Sequence, residues 1–251
     1  MKSGAEKINP YDADRPKTEQ VRDMFDSIAP AYDFMNKAMS FGIHRHWLAK
    51  GIKAVVEGVC GVESSPRLLD VATGTGDVAI SLATKLPHST VVGIDLSENM
   101  IKIGRQKVAK AGLAERIKLQ QADCLQLPFA DNEFDAVTVA YGVRNFERLA
   151  DGYREMARVL RPGGTIMVIE LSTPTSKIVR PFYNFYTRHI IPLVGRLVSH
   201  DVRAYSYLPE SIAAVAQREE MTALMESAGF ADASYRRLTF GTCTIYTARK
   251  P

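Results

Sequence analysis

Short apolar segments alternate with helical patterns through the middle of this chain. Five of them are typical of buried strands: RLLDVA (67–72), TVVGID (90–95), IKLQQA (117–122), FDAVTVA (134–140) and TIMVIEL (165–171). Between them, apolar residues recur at helical spacing, and Ser97 is placed to cap one of these helices. Strands that alternate with helices favour a parallel sheet with right-handed crossovers. We therefore predict an α/β fold.

The N-terminal part of the chain follows a different pattern. Residues 1–16 are polar and rich in turn-forming residues, which predicts a flexible arm. Residues 17–60 carry apolar positions at helical spacing, with Thr18 as the expected cap of the first helix and Pro30 as its interruption. A helical extension over 17–60 is therefore expected to precede the sheet.

The alternation also stops after the fifth strand. Residues 172–212 are rich in aromatic, proline and basic residues, and we expect them to form a lid over the substrate. A helix follows, and Gly229 is expected just beyond its C-terminus. Two antiparallel strands at 233–240 and 242–248 are then predicted around Gly241. Residues 17–251 are interpreted as one domain.

Composition and charge limit the classes of function. The 251 residues are 46% hydrophobic and 24% charged, which is typical of a globular domain and excludes wholesale disorder. The formal net charge of +4 is too small to indicate a dedicated nucleic-acid binder. The excess falls within residues 172–203, where five basic residues accompany the single acid Asp201. This segment is expected to touch anionic lipid, and an RNA groove is a weaker reading.

The cysteines and the apolar runs indicate a cytoplasmic protein, with association at a membrane surface left open. Cys60, Cys124 and Cys243 are far apart and show no metal-binding or disulfide spacing, so reduced thiols and no metal site are expected. The N-terminus lacks a signal-peptide pattern, and no run approaches the roughly 20 apolar residues that span a bilayer.

One glycine-rich turn carries the sharpest chemical signal. Asp70-Val-Ala-Thr73-Gly74-Thr75-Gly76 follows a strand and precedes a helix, where glycines let the backbone approach a ligand. Asp95 ends the next strand, where a carboxylate can accept the hydroxyls of a ribose. A nucleoside-containing cofactor is expected, and the spacing also satisfies the dinucleotide pattern, so NAD remains an alternative.

Three further features favour a different cofactor. Asp70 suits a ligand whose amino-acid end carries an ammonium and a sulfonium rather than a pyrophosphate. Asp123, after the third strand, could accept a hydrogen bond from an adenine amino group. Pro162-Gly-Gly164 leads into the fifth strand. Together with the glycine turn and Asp95, these residues resemble the class I methyltransferases that use S-adenosylmethionine.

Four segments narrow this resemblance to the ubiquinone/menaquinone biosynthesis C-methyltransferases. They are YDFMN (32–36) running into SFGIHR (40–45) and Trp47, YGVRN (141–145), RVLRPGG (158–164) and YSYLPESI (205–212). The likeness extends from about residue 18 to residue 249. Thr73 stands where many members have glycine, and Ala140 where some have serine. The resemblance implies a seven-stranded, mostly parallel Rossmann-like sheet.

The resemblance also implies a reaction. The substrate would be a membrane-borne polyprenylated quinol, most simply demethylmenaquinol, methylated on a ring carbon. A benzoquinol of ubiquinone synthesis and an NAD-linked reductase remain as alternatives. Ionisation of a ring hydroxyl makes the ortho carbon nucleophilic, so the enzyme has to align this carbon and favour the phenolate. Nucleic acid is not expected as a partner, and the oligomeric state stays open, a homo-oligomer included.

Residues are assigned to this reaction on the same resemblance. Residues expected to bind the cofactor are Asp70, Thr73, Gly74, Thr75, Gly76, Asp95, Asp123, Cys124 and Ala140. Arg144 is the first candidate for phenolate stabilisation, Asn145 for orienting a quinol oxygen, and Tyr32 for a pocket wall or hydrogen-bond donor. Residues expected to contact the substrate are Tyr141, His44, Tyr186 and His189. The general base is left open between Asp33, His44 and His189.

Overall fold

A single seven-stranded sheet organises the part of the chain that the structure, a computed structural model, describes: residues 3–59, 65–191, 193 and 202–251. Cys60, Arg196 and Asp201 lie outside these residues. The strands are β1 (Arg67–Val71), β2 (Thr90–Asp95), β3 (Ile117–Gln121), β4 (Phe134–Ala140), β5 (Leu160–Leu171), β6 (Ala231–Leu238) and β7 (Cys243–Arg249). Their order is β3-β2-β1-β4-β5-β7-β6, and only β7 runs antiparallel to its neighbours. The predicted α/β fold is confirmed.

Helices cover both faces of the sheet. They are α1 (Lys17–Ile28), α2 (Tyr32–Met39), α3 (His44–Val59), α4 (Asp77–Lys85), α5 (Glu98–Lys110), α6 (Leu149–Val159), α7 (Val179–Phe185), α8 (Val202–Ala214) and α9 (Glu219–Ser227). One apolar core joins the sheet to α6 and α9, and another joins it to α3, α4 and α5. Because β4 is buried on both faces, its apolar residues stand at consecutive as well as alternate positions.

A third apolar cluster lies beyond the sheet. Met24 and Ile28 of α1 pack there against Met35 of α2 and Tyr207 of α8. This cluster joins the N-terminal extension to the segment that follows β5, so both insertions lie over the same end of the sheet. None of the helices described here is long and apolar enough to cross a bilayer.

Two helix starts were predicted from capping residues, and one of them is wrong. Ser97 accepts a hydrogen bond from the Met100 N–H at 3.1 Å, which confirms it as the cap of α5. Helix α1 instead begins at Lys17 after Pro16, and Thr18 lies inside it. The Thr18 hydroxyl donates to a Glu147 carboxylate oxygen at 2.6 Å, because a partner distant in sequence competes successfully for it.

The first described residues of the N-terminal segment, for which the sequence predicts a flexible arm, contact the rest of the fold. Ala5 is buried in the core beside β4 and β5. Glu6 accepts a hydrogen bond from the Leu149 N–H at 2.9 Å and so caps α6 from a distance. The Lys17 ammonium donates to the Ala5 carbonyl at 2.6 Å. Two polar residues of this segment, Ser3 and Glu6, accept hydrogen bonds from backbone N–H groups distant in the sequence, whereas residues 11–16 are exposed.

The observed bounds of β6 and β5 differ from the predicted ones. The strand predicted at 233–240 is β6, and it ends at Leu238 because Thr239 and Phe240 adopt positive φ angles of 43° and 58°. The antiparallel pairing of β6 with β7 is confirmed. β5 begins at Leu160, five residues before the apolar run at 165, since Leu160 already pairs with Phe134 of β4.

Candidate active site

The carboxyl ends of β1 and β4 form a crevice where the direction of the strand order changes. Ala72 follows β1 with φ of 53°, and Tyr141 follows β4 with φ of 59°. Left-handed angles at non-glycine residues are costly, and they cluster at functional sites. A Cβ on Gly142 would lie 2.6 Å from Cβ of Ala72, so the two strand ends touch only because residue 142 is glycine. Ligands of such sheets bind at this edge.

Asp70 holds the glycine-rich turn in place through hydrogen bonds within the sheet. Its carboxylate accepts hydrogen bonds from the hydroxyls of Thr73 at 2.5 Å and Thr138 at 2.7 Å, and it is completely buried. Burial raises the pKa of Asp70 to about 7, although both hydroxyls favour the ionised form. Asp70 and Thr73 therefore fix the shape of the turn from within the sheet.

Asp95 connects the turn to the next helix. Its two carboxylate oxygens accept the Gly74 N–H at 2.8 Å and the Ser97 N–H at 2.9 Å. Burial raises the pKa of Asp95 to about 6, against the stabilising effect of these backbone donors. The Thr75 hydroxyl donates to Asp33 at 2.6 Å.

A narrow cleft opens beside this turn. Five of the predicted cofactor residues line it: Gly74, Asp95, Asp123, Cys124 and Ala140. The structure places the other four outside its walls: Asp70, Thr73, Thr75 and Gly76. Burial raises the pKa of the Cys124 thiol well above its usual value, so this side chain acts as an apolar wall.

The cleft residues suit the nucleoside end of a cofactor. Asp95 and Asp123 supply carboxylate acceptors at the ends of β2 and β3, and Gly74 has no side chain to fill the space between them. Helix α1 closes the outer side through Val21 and Phe25 and leaves a free volume of about 50 Å³.

A second cavity of about 730 Å³ adjoins the cleft. Its walls are mainly apolar side chains of α1, α2, α8 and the segment after α7, among them Met24, Ile28, Met35, Ile191 and Leu208. Four residues line both spaces: Phe25, Tyr32, Tyr141 and Asn145. Group transfer between two bound molecules would take place at this junction.

The polar end of the large cavity centres on Arg144. Its Nη1 pairs with Oε1 of Glu170 at 2.8 Å and also donates to the Tyr141 carbonyl. Burial is the largest single influence on the pKa of Arg144 and lowers it, but Glu170, Tyr32 and Tyr207 together raise this pKa above its ordinary value. Lys17 donates to the Arg144 carbonyl at 3.2 Å, so the turn that carries Arg144 is held from two sides.

Buried polar atoms without a partner collect at this end. Among the described residues, four such atoms remain: the hydroxyls of Tyr141 and Tyr207, Nε of Arg144 and Oδ1 of Asn145. All four residues line the large cavity. An unsatisfied buried donor or acceptor costs about 1–3 kcal/mol, so this cluster is suited to receive a polar ligand group.

The remaining predicted contacts divide between the cavity and the surface. His44 and Tyr186 line the cavity, and the Tyr186 hydroxyl donates to the Met39 carbonyl at 2.7 Å. His189 is exposed, with its ring 5.2 Å from that of Phe185, and the structure does not bring it to the cavity. Asp33 is bound to Lys107 at 2.7 Å and lies outside the cavity walls.

Sequence reasoning missed several residues of this site. Glu170 carries the ion pair of Arg144, and the only acid in the apolar run TIMVIEL was a signal that could have found it. Lys17 was assigned only to a helix, and its buried position becomes apparent only from the packing of residues 3–16. Tyr207 was quoted within a motif without a role.

Comparison with known families identifies the chain. A family model described as the ubiE/COQ5 methyltransferase family matches residues 14–250. The chain belongs to this family. It is 47% identical over 245 residues to a demethylmenaquinone methyltransferase of Bacteroides fragilis, covering 98% of each chain. A demethylmenaquinone methyltransferase of Porphyromonas gingivalis is 49% identical over 246 residues, again covering 98% of each chain.

Solved structures agree on the fold of this ubiE/COQ5 family member. The crystal structure of the [4+2]-cyclase SpnF matches with a TM-score of 0.69 and 19% identity, covering 94% of this chain and 97% of that one. Family membership makes the protein a methyltransferase with S-adenosylmethionine as its cofactor, as the resemblance implied. It also decides against the NAD-linked reductase.

Proposed function

We propose that this methyltransferase methylates a ring carbon of a polyprenylated naphthoquinol, converting demethylmenaquinol to menaquinol. The observation that carries the proposal is the junction at Phe25, Tyr32, Tyr141 and Asn145, where the cofactor cleft opens into a large apolar cavity. Polar atoms without partners stand at the junction, and apolar walls extend beyond it. A quinol has the same division, with two ring oxygens and a long hydrocarbon chain. The demethylmenaquinone methyltransferases among the relatives favour the naphthoquinol over the benzoquinol.

The residues at the junction match the needs of carbon methylation. The bound cofactor supplies an electrophilic methyl group on a sulfonium. Arg144 presents a buried positive charge to a ring oxygen, which lowers the pKa of that hydroxyl and places negative charge on the ortho carbon. The Asn145 amide orients the same ring, and Tyr32 limits its position against the glycine turn. Glu170 keeps the guanidinium in place during the reaction.

The rim of the large cavity suits a substrate that comes from a lipid bilayer. Phe41 lines the cavity and is 86% exposed, and Phe240 is 79% exposed beside the lining residue Thr239. Phe182 and Phe185 of α7 are also exposed, each next in sequence to a lining residue, Tyr183 and Tyr186 respectively. Exposed aromatic side chains around one cavity mouth favour insertion into a lipid headgroup region.

Charge adds to this surface. Lys177, Arg180 and Arg188 are exposed on the same segment as the α7 aromatics. We therefore include in the proposal a peripheral contact with anionic lipid through residues 172–203. Each basic residue near such a surface contributes about 1 kcal/mol to binding, and salt screens the attraction.

A direct assay tests the substrate. Purified enzyme with labelled S-adenosylmethionine is given short-chain demethylmenaquinol and, separately, a short-chain benzoquinol precursor. We expect methyl transfer to a ring carbon of the naphthoquinol, with a lower kcat/KM for the benzoquinol. Turnover of neither quinol overturns the substrate class, and a preference for the benzoquinol overturns the naphthoquinol assignment.

Vesicle binding tests the lipid contact separately. Binding should rise with the fraction of anionic lipid and fall with added salt. The double variant Lys177→Glu/Arg180→Glu should lose most of this binding, whereas Lys53→Glu/Lys85→Glu has the same change in net charge on exposed parts of α3 and α4. Equal loss in both variants would overturn the assignment to this segment.

A further inference from the structure

His44 stands out among the residues that line the large cavity. The lining residues include five tyrosines and Arg144, but no aspartate or glutamate within the part of the chain described here. Asp33 is held by Lys107 and Thr75, and Glu170 by Arg144, while His189 is exposed on the surface. His44 is therefore the one lining side chain whose ordinary pKa, 6.5, allows proton acceptance near neutral pH.

The hydrogen bonds of Ser40 determine which nitrogen of His44 carries a proton. The Ser40 hydroxyl lies 2.6 Å from the Asn36 carbonyl and 2.6 Å from Nδ1 of His44. A carbonyl can only accept, so the single hydroxyl proton of Ser40 points to Asn36. The Ser40 oxygen then accepts from His44, which places the imidazole proton on Nδ1 and leaves a lone pair on Nε2.

We propose that His44 is the general base that removes the ring hydroxyl proton of the quinol through Nε2, and that Ser40 is the positioning residue that sets its tautomer. This assignment rests on the proposed quinol methylation. The arrangement is that of other catalytic histidines, in which a partner on one ring nitrogen fixes the other as an acceptor.

Charged groups around His44 favour its neutral form. Partial burial is the main cause of a lowered pKa of His44, and the adjacent Arg45 adds to it. Asp33 on α2 and Asp77 on α4 act in the opposite direction, but both are paired with Lys107, at 2.7 and 2.5 Å. The imidazole is thus unprotonated at neutral pH and ready to accept a proton.

The proton balance of the step is complete. The quinol O–H bond breaks, the proton moves to Nε2 of His44, and its electron pair is delocalised into the ring. The cofactor would supply the methyl group to which the ortho carbon bonds, and the electron pair of the broken carbon–sulfur bond would remain on sulfur. The ring then loses its C–H proton to water, and the His44 imidazolium returns its proton to the ring oxygen.

The test compares His44→Asn with wild type, since an asparagine amide can still donate to Ser40 but cannot act as a base. We expect kcat to fall about 100-fold, within the usual range for loss of a general base, with little change in KM for the quinol or in Kd for S-adenosylmethionine. Wild-type kcat should fall at acid pH as the imidazole becomes protonated, with a midpoint below the ordinary pKa of histidine. His44→Asn should lose this acid limb of the pH profile.

Two further measurements separate a base from a structural residue. A halogenated naphthoquinol with a more acidic hydroxyl should restore much of the rate of His44→Asn but change wild type little. Ser40→Ala should keep the acid limb with a reduced kcat, and Ser40→Thr should recover most of it. If wild type turns over quinols and His44→Asn keeps the same kcat and the same acid limb, the role of His44 is overturned and the proposed function stands. Wild type without quinol turnover overturns the proposed function instead.

Discussion

Glu170 of β5 pairs with Arg144 across 2.8 Å, and both side chains are almost completely buried. Removing one partner of such a pair leaves an uncompensated buried charge. We expect Glu170→Gln to lower the free energy of unfolding by about 3 kcal/mol and to reduce kcat strongly, because the guanidinium loses its fixed position. Urea unfolding and the methyl-transfer assay measure the two effects.

A double variant separates the structural from the chemical part of this pair. Arg144→Met/Glu170→Gln removes both charges, so it should recover much of the stability and none of the activity. An active double variant would contradict the role of Arg144 in stabilising the phenolate.

The carboxyl group of Asp70 makes stability depend on pH. Burial raises its pKa from 3.8 to about 7 in the folded protein. The folded state therefore holds a proton that the unfolded state releases, and the stability due to this group is lost as pH rises through about 7. Between about pH 5 and pH 8, wild type should lose unfolding free energy relative to Asp70→Asn. The urea midpoints of wild type and Asp70→Asn at both pH values check this. Equal changes of the two midpoints with pH would contradict the raised pKa of Asp70.

Lys17 connects the N-terminal segment to the active-site turn. Its ammonium donates to the carbonyls of Ala5 and Arg144, and burial lowers its pKa to about 8. Lys17→Met should increase hydrogen exchange in residues 3–16 and in the turn at 142–145, and should reduce kcat. Lys53→Met, at an exposed site on α3, is the control and should change neither. Increased exchange confined to residues 3–16 would show that the segment does not support the turn.

Contact between the ends of β1 and β4 depends on Gly142. Gly142→Ala brings its Cβ against that of Ala72, which should cost about 1–3 kcal/mol and disturb the junction. Ala72→Gly removes the opposing Cβ and relieves a positive φ angle, so the double variant should regain stability. Thermal unfolding of the three variants measures the coupling, and additive losses would contradict it.

Most of the sheet could be predicted because its strands combine an apolar run with a clear end. The bounds of β2 and β4 were exact, since Asp95 and Ala140 end continuous buried runs. β5 starts earlier than predicted because pairing with β4, rather than hydrophobicity, decides where it begins. Thr18 was misread for a related reason: a cap signal is local, and Glu147 is 129 residues away.

Some residues of the candidate site could likewise be predicted from the sequence, and others could not. Gly74, Asp95 and Arg144 could be found because each stands at a strand end or in a specific motif. The pairing of Ser40 with His44 could not, because only the backbone after α2 brings the hydroxyl and the imidazole together. His189 belonged to the same aromatic segment as Tyr186, but sequence spacing does not show which of them faces the cavity.

Helix α1 has a consequence for the sequence of events in each turnover. It walls the cofactor cleft with Val21 and Phe25 and the apolar cavity with Met24, Phe25 and Ile28. A prenyl chain lying against the second face would hold the helix shut over the first. We therefore expect the methyl donor to load before the quinol and its spent form to leave last. Such a compulsory order would keep the quinol from occupying an enzyme that has nothing to transfer, and product-inhibition kinetics would reveal it.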